Sequence, residues 1–577
     1  MENLGLKELR NLDTNKVASH FASMLSEGKE LKNVQIQTII SAFITYKMQK
    51  NDELDSIDAI CSEIENSAIS EIIRRHNAEY IQIAKKSINI FTSYELLSFI
   101  LFDNSFESGR DGSCSTPSGI LKLANKILDI KEDDKVLELC SGKGNFFVEM
   151  SINSINANYT GIELNYIQKD IAELRSYLIG KNYEYILSDV LEYRNKTKVD
   201  KIFANYPFAL RGYSIDECKK ELQKKLNLPK EVIQRASSDW VFNLLTIEQL
   251  KDNGKAVVVM TNGGAWNESD KNIRQYFVEQ GYVETVVSLP TRLFNTTAIP
   301  TVLMVLSKGN KEVKLVDAKD LFQNERRINV LTDKNIETIL NSISDESDIS
   351  LTKTIDELEK NEFILNASRY FEIVPEIKDG IKLETLIKNI TRGSQIKAEV
   401  LDKYKSDKPT NNQYLLLANI NDGILSINNE DQYLTEIPDN MSRYIIKNNS
   451  IILSKIGTPT FKSAVAQIDE GKQIIANGNL FVIEVDEEKV NPFYIQAFFA
   501  SNLGNRIFKS IYTGGALPTI NLEKLKNMII PYPSLEKQTE ISNKYAASMD
   551  ELILLNRKIE KTKYKMKHIF DEEELTC

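Results

Sequence analysis

A doubly wound α/β sheet, preceded by a helical segment and followed by a strand-and-turn domain with a long terminal helix, is the fold this sequence predicts. Three observations predict it. Short apolar runs alternate with helix-length spacers from about residue 118 to 310, apolar residues recur at helical spacing before that stretch, and the texture changes to short strands and turns after about 363. At 577 residues the chain is too long for one hydrophobic core, so several domains are expected.

The first 95 residues read as helices because Ile36, Ile39, Ile40, Phe43, Ile44 and Met48 fall on one helical face. The polar, glycine-bearing stretch NSFESGRDGSCSTPSG then marks a loop. Seven runs follow as strand candidates: KVLELC, YTGIEL, YEYILSD, DKIFAN, GKAVVVMT, VETVVSLP and TVLMVLS. The stretch SISDESDISLTKTIDELEKNE is acidic and polar and reads as a linker or peripheral helix. Beyond it, LLLANINDGILSI, NSIILSKIGTP and NLFVIEVD read as strands. A polar helix follows, in which Tyr545, Leu552, Ile559 and Met566 recur every seven residues and Leu555 and Ile569 sit three positions after their predecessors. That is a short, imperfect coiled-coil pattern. The expected divisions are a helical domain over 1–95, the sheet domain over 96–315, a linker or peripheral helix over 316–362, a strand-and-turn domain over 363–535 and a terminal helix over 536–577.

Composition narrows the function classes. The hydrophobic share of 42% and charged share of 27% are those of an ordinary globular protein. No apolar run reaches the roughly 18–20 residues that span a bilayer, and the polar start MENLGLKELRNLDTNK resembles no export signal, so no membrane and a cytoplasmic location are expected. Cys61, Cys114, Cys140, Cys218 and Cys577 are scattered without CxxC spacing, and the only histidines are His20, His76 and His568. A disulfide framework and a metal site are therefore not expected. The net charge of −10 does not exclude nucleic acid, because phosphate contacts are local, and lysines are dense in the C-terminal half. Neither a Walker GxxxxGK[ST] loop nor a Pro-Asp…Glu-x-Lys nuclease run is present, so any cleavage belongs to another chain.

The first strand runs straight into a glycine turn, giving Glu138, Gly142 and Gly144, where backbone can approach a ligand next to a helix N-terminus. The second strand closes on Glu163, placed to accept ribose hydroxyls, and the third on Asp189, placed to accept an adenine amine. Three acid-bearing strand tips on one sheet edge describe a nucleoside pocket. Phe147 stands where a pyrophosphate fingerprint would place its third glycine, which favours a nucleoside without phosphates. S-adenosylmethionine fits that description.

The fourth strand ends in Asn205, Tyr206, Pro207 and Phe208. This turn resembles the Asp/Asn/Ser-Pro-Pro-Tyr/Phe motif of the amino-methyltransferases. Adenine's exocyclic amine is a poor nucleophile, since its lone pair is delocalised into the ring. An asparagine oxygen and the next backbone carbonyl can each accept one amine hydrogen and aim the lone pair, a gain in positioning and electrostatics. Phe208 offers a face for a base extruded from the duplex. The turn departs from the motif at Tyr206, where a proline's fixed φ is lost and a less rigid turn is expected.

Three further blocks, CSTPSGILKLANKIL, SSDWVFNLLTIEQLKDNGKAVVVMTNG and GYVETVVSLPTRLFNTTAIPTVLMVLSK, extend the resemblance to the modification subunits of type I restriction systems over roughly residues 1–310. The resemblance implies a Rossmann-like class I methyltransferase fold in the γ arrangement, with N6 of adenine in double-stranded DNA as methyl acceptor. It also implies that Ser115, Thr116 and Pro117 sit beside the cofactor's methionine end. The second half resembles one target-recognition domain of a type I specificity subunit, most specifically in GGALPTINLEKLKNMIIPYPSLEKQTEI. This implies one half-site reader followed by a pairing helix. A homodimer through that helix is then expected, with a separate specificity subunit or a translocase/nuclease restriction subunit as a further partner. Lys455, Thr458, Lys462, Arg506 and Lys509 are candidate DNA contacts. Two other readings stay open at this point: a silenced DNA-binding scaffold, and a methyltransferase acting on RNA or protein.

Overall fold

The computed structural model describes residues 5–25, 31–76, 79–103, 114–152, 156–181, 183–326, 328–371, 377–395, 398–425, 432–457, 461–513 and 519–569. Thr458 and most of the glycine-bearing loop lie outside them. Two compact units divide the chain, Met1–Tyr370 and Phe371–Cys577.

The first unit opens with helices α1 (Leu6–Leu9), α2 (Asn15–Leu25), α3 (Leu31–Lys50), α4 (Ile57–Glu63), α5 (Ser67–Arg75), α6 (Tyr80–Ser87) and α7 (Ser93–Phe102). The residues of α3 picked out by spacing, Ile36, Ile39, Ile40, Phe43, Ile44 and Met48, are all in the core, and the helix is buried on its other sides too, at Thr38, Ser41 and Thr45. These helices pack on Ile167, Ile171 and Leu174 of a helix in the sheet region.

That region alternates α8 (Ser118–Leu128), β1 (Lys135–Leu139), α9 (Asn145–Ile152), β2 (Asn158–Glu163), α10 (Tyr166–Ile179), β3 (Glu184–Leu187) and β4 (Val199–Asn205). It continues with α11 (Tyr213–Lys225), α12 (Lys230–Ile233), α13 (Ser238–Gln249), β5 (Leu250–Thr261), α14 (Lys271–Glu279), β6 (Val283–Ser288) and β7 (Thr301–Leu306). Each of the seven apolar runs is a strand. They assemble in the order β3-β2-β1-β4-β5-β7-β6, in which β7 runs antiparallel to both neighbours and β1 to β5 run parallel. This is the Rossmann-like class I methyltransferase sheet. Alternate residues of β5 serve opposite faces: Val257 and Val259 join the core beneath α8 and α9, whereas Val258 and Met260 join the core beneath α13 and α14. A sheet buried on both faces reads as a continuous apolar run, which is why these strands were visible in the sequence.

Residues 316–362, expected as a linker or peripheral helix, carry helix but also extend the sheet. β8 (Glu312–Asp317) pairs with β6, and a hairpin of β9 (Gln323–Glu325) and β10 (Ile328–Val330) follows. Helix α15 (Asp333–Ser344) then packs Ile336 and Ile339 into the core, and β11 (Ser350–Thr354) closes the sheet edge against β8. These residues belong to the sheet because they cap the otherwise open edge of β6.

In the second unit, strands Ile387–Arg392, Leu480–Val485, Ile451–Ser454 and Ser463–Val465 form an antiparallel sheet in that order. Helices Pro492–Ala500 and Asn502–Ile511 supply Ile495, Phe499, Ile507 and Phe508 to its core. The last helix is Leu535–Lys567, whose first half buries Gln538 and Ser542 while Leu554, Leu555, Ile559 and Met566 of its second half are exposed. Among the described residues no helix is long and apolar enough to cross a membrane.

Candidate active site

The sheet's register sets the site. Ile162 of β2 and Ala204 of β4 both pair with Leu139 of β1, so Glu163 and Asn205 are each one residue further along. They stand on the same carboxyl edge, two strand spacings or about 10 Å apart at the backbone. Between them lies Cys140, in a left-handed conformation at φ 62 where β1 gives way to the glycine turn. Burial pushes its thiol pKa well up, and the charges of Glu163, Asp189 and Glu138 push it further. Cys140 in turn raises the pKa of the Tyr206 hydroxyl, after burial.

The acids differ in role. Glu163 is half-buried at the tip of β2. Its Oε2 accepts the Gly142 N–H at 2.7 Å, its Oε1 accepts the Asn165 N–H at 2.8 Å, and burial raises its pKa. Each oxygen keeps a lone pair for a ligand hydroxyl. Asp189 lies two residues beyond β3, half-buried, with Oδ1 taking the Leu191 N–H at 2.9 Å. Glu138 is not at a tip. It is 4% exposed inside β1, hydrogen-bonded to Tyr159 of β2, with a pKa raised by burial.

Gly142 has φ +53, and a Cβ there would meet nothing within 4 Å; at Gly144, φ +73, a Cβ would fall 2.4 Å from the Phe147 ring. The first glycine therefore leaves room on the ligand side, and the second lets Phe147 close under the turn. Phe147 thus packs beneath the turn, where the pyrophosphate motif would have glycine.

At the end of β4, Asn205 Nδ2 donates to Cys114 O at 3.3 Å and to Thr116 Oγ1 at 3.0 Å. A carbonyl only accepts, so the amide cannot be turned over without losing that bond. Its Oδ1 is buried and accepts no hydrogen bond among the described residues. The segment 114–117 is held from its other side by Thr296, whose hydroxyl is 2.8 Å from Cys114 Sγ. Ser115, Thr116 and Pro117 also line a cavity of about 320 Å³ with Phe102, Asn145 and Asn329; Asn205 and the acids stand outside its lining.

The looser turn expected at Tyr206 is corrected by its packing. The residue is 3% exposed, its ring stacks on Phe242 at 4.4 Å and 12°, and its hydroxyl bonds Thr246. Anchorage to α13 replaces the proline ring, and the backbone carbonyl stays available. Pro207 and Phe208 are half-buried, and Phe208 meets Phe294 edge-to-face at 5.3 Å. One residue escaped the sequence reading. Arg175, fully buried on α10, donates to Ile100 O, Lys143 O, Asn145 Oδ1 and Asp103 O, tying α7 to the glycine turn. Asp239 Oδ2 accepts the N–H and hydroxyl of Thr261 at the end of β5, at 3.0 and 2.5 Å. Burial pushes its pKa up to about 6.

The N-6 DNA methylase family profile matches residues 90–379, half of the chain, and spans every one of these groups. The chain belongs to the N-6 DNA methylase family. Residues 394–563 of this methylase-family chain match the type I restriction modification DNA specificity domain. Curated relatives include the methylase subunit of the type I restriction enzyme MjaVII from Methanocaldococcus jannaschii, 28% identical across 51% of this chain and 55% of that subunit. The MjaVIII subunit of the same organism is 24% identical across 65% and 72%, and the MpnII subunit of Mycoplasma pneumoniae 25% across 57% and 64%. The chain thus spans little more than half the length of the MjaVII subunit. Among solved structures, a type I methyltransferase subunit from Streptococcus thermophilus aligns at TM-score 0.47 and 18% identity, over 63% of this chain and 99% of that one. The type IIG restriction endonuclease BpuSI aligns at 0.49 and 12%, over 92% and 74%.

Of the predicted DNA contacts, Lys455 and Lys462 lie at one end of the second unit's sheet, and Arg506 and Lys509 on helix Asn502–Ile511.

Proposed function

We propose that this methylase-family chain transfers a methyl group from S-adenosylmethionine to N6 of adenine in double-stranded DNA, with its second unit selecting the sequence, as the modification component of a restriction-modification system. The observation that carries the reading is the fixed amide of Asn205, whose Oδ1 is a buried acceptor with no partner among the described residues. An unpaired buried acceptor costs free energy, which a ligand N–H would recover.

Bound S-adenosylmethionine supplies the electrophilic methyl. Glu163 and the Gly142 turn would hold its ribose, Asp189 its adenine, and residues 115–117 its methionine end. Asn205 Oδ1 and the Tyr206 carbonyl would then accept the two hydrogens of the target amine. That draws the nitrogen's lone pair out of the ring and toward the methyl. Phe208 supports the extruded base.

We also infer that two copies pair through the exposed apolar face of helix Leu535–Lys567, each reading one half of the target, and that any nuclease or translocase is a separate chain.

The test is methyl transfer from labelled S-adenosylmethionine to duplex DNA, with Asn205→Ala beside the wild type. Loss of transfer by about 10²–10³-fold or more, with cofactor and DNA binding kept, is expected. Undiminished transfer by Asn205→Ala removes that residue from the chemistry. Transfer to RNA or protein but not DNA refutes the substrate.

A further inference from the structure

The four-stranded sheet of the second unit is electrically polarised along its strands. Strand Leu480–Val485 ends beside lysines that are neutralised: Lys447 lies 2.7 Å from Glu484, and Lys388 and Lys489 lie 3.4 and 3.1 Å from Asp486. The same strand begins among cations that form no ion pair among the described residues. On one side, Arg392 pairs with Phe481 and its Nε donates to Gly478 O at 2.7 Å. On the other, Ser454 pairs with Leu480, and the Lys455 N–H donates to Asn479 O at 2.7 Å. Lys462 faces Ser454, with its N–H 2.8 Å from Ser454 Oγ and its Nζ 2.9 Å from Asn421 Oδ1.

Among the described residues none of these three cations forms an ion pair, although elsewhere in the unit Lys405, Lys472 and Lys537 are each paired with an acid. The like charges feel one another: Lys455's pKa is lowered by burial and then by Arg392. Gathering like charges is unfavourable until an anion neutralises them. Arg392 spends Nε on Gly478 and keeps its terminal nitrogens as a fork suited to phosphate oxygens. Arg392 and Lys455 stand on the two strands that flank the central one, roughly 10 Å apart at the backbone, with Lys462 one strand further out, a row suited to successive phosphates.

We propose that Arg392, Lys455 and Lys462 form the site at which this unit grips the phosphodiester backbone of duplex DNA. The proposal rests on DNA as the substrate. It assigns these side chains to positioning, so their loss weakens binding to every sequence alike.

The test measures affinity of the full chain for labelled duplexes of several sequences from roughly 50 to 200 mM salt. Its variants are Arg392→Gln with Lys455→Gln, and Lys388→Gln with Lys447→Gln at the neutralised end. In the first double variant the plot of log affinity against log salt should become shallower by about 2, near 0.9 per lost phosphate contact, with equal losses across sequences. The second should match the wild type. Unchanged slope, loss confined to one duplex, or an equal loss in the second variant overturns the proposal. Lys462→Gln, expected to reduce the slope by about 1, decides the matter should the first variant fail to fold. If the wild type binds no duplex, the substrate reading falls together with this one; if it binds and the slopes agree, only this one falls.

Discussion

At residue scale, the turn at 205 is held in shape because each neighbour is restrained from outside it. Asn205 is fixed by a backbone carbonyl of residue 114, and Tyr206 by a ring stack and a hydroxyl bond to α13. Tyr206→Pro, which the motif alone would recommend, should therefore be harmful. It removes a buried ring and leaves a cavity, a loss of about 3–5 kcal/mol. Tyr206→Phe keeps the stack, giving up about 1 kcal/mol and little activity. Chemical denaturation and methyl-transfer rates of the two variants check this. Asp239 gives a pH prediction. Its folded pKa of about 6 exceeds the ordinary aspartate value of 3.8, so between those values the folded state holds more protons than the unfolded. Stability is then full below about pH 4 and declines as pH rises to 6, by on the order of 2–3 kcal/mol. Asp239→Asn keeps an acceptor for Thr261 and should flatten that decline, as read by urea unfolding at pH 5 and 7.

At the scale of elements, the exposed face of helix Leu535–Lys567 carries a prediction of its own. Leu555 and Ile559 are 50% and 49% exposed and belong to the heptad, so Leu555→Lys with Ile559→Lys should abolish pairing at little cost to the monomer. Sedimentation equilibrium reads the result; unchanged mass shows that the face does not pair two copies. The same scale explains what the sequence made legible. β1 and β4 to β7 were readable because burial on both faces leaves each a largely apolar run, and Glu163 because it closes the strand run YTGIEL. β8 and β11 escaped notice because both mix polar and apolar residues, EVKLVD within the sheet and SLTKT at its edge. Arg175 looks like any charge on a helix, and the carbonyl of Cys114 has no side-chain signature at all. Tyr206 could be seen to break the motif, but only the position of α13 shows what replaces the proline.

At the scale of the whole molecule, the proposed chemistry and the proposed recognition segregate. Glu163, Asp189, Asn205 and the segment 114–117 all lie in Met1–Tyr370; the polarised sheet and the long helix lie in Phe371–Cys577. The core of the first unit is complete without the second, since both faces of its sheet are covered by its own helices. A chain of residues 1–370 should therefore fold and bind S-adenosylmethionine within about threefold of the full protein, because ligand contacts follow the local site. Its transfer to DNA should fall by about 10³-fold or more in kcat/KM, since specific binding exceeds non-specific binding by at least that factor. Raising the DNA concentration should recover turnover in part and without sequence preference. Isothermal titration with the cofactor, beside methylation of duplexes with and without the target, separates the two effects. A truncated chain that still discriminates between those duplexes places sequence reading in the first unit, whereas one that loses cofactor affinity shows that the two units share the site.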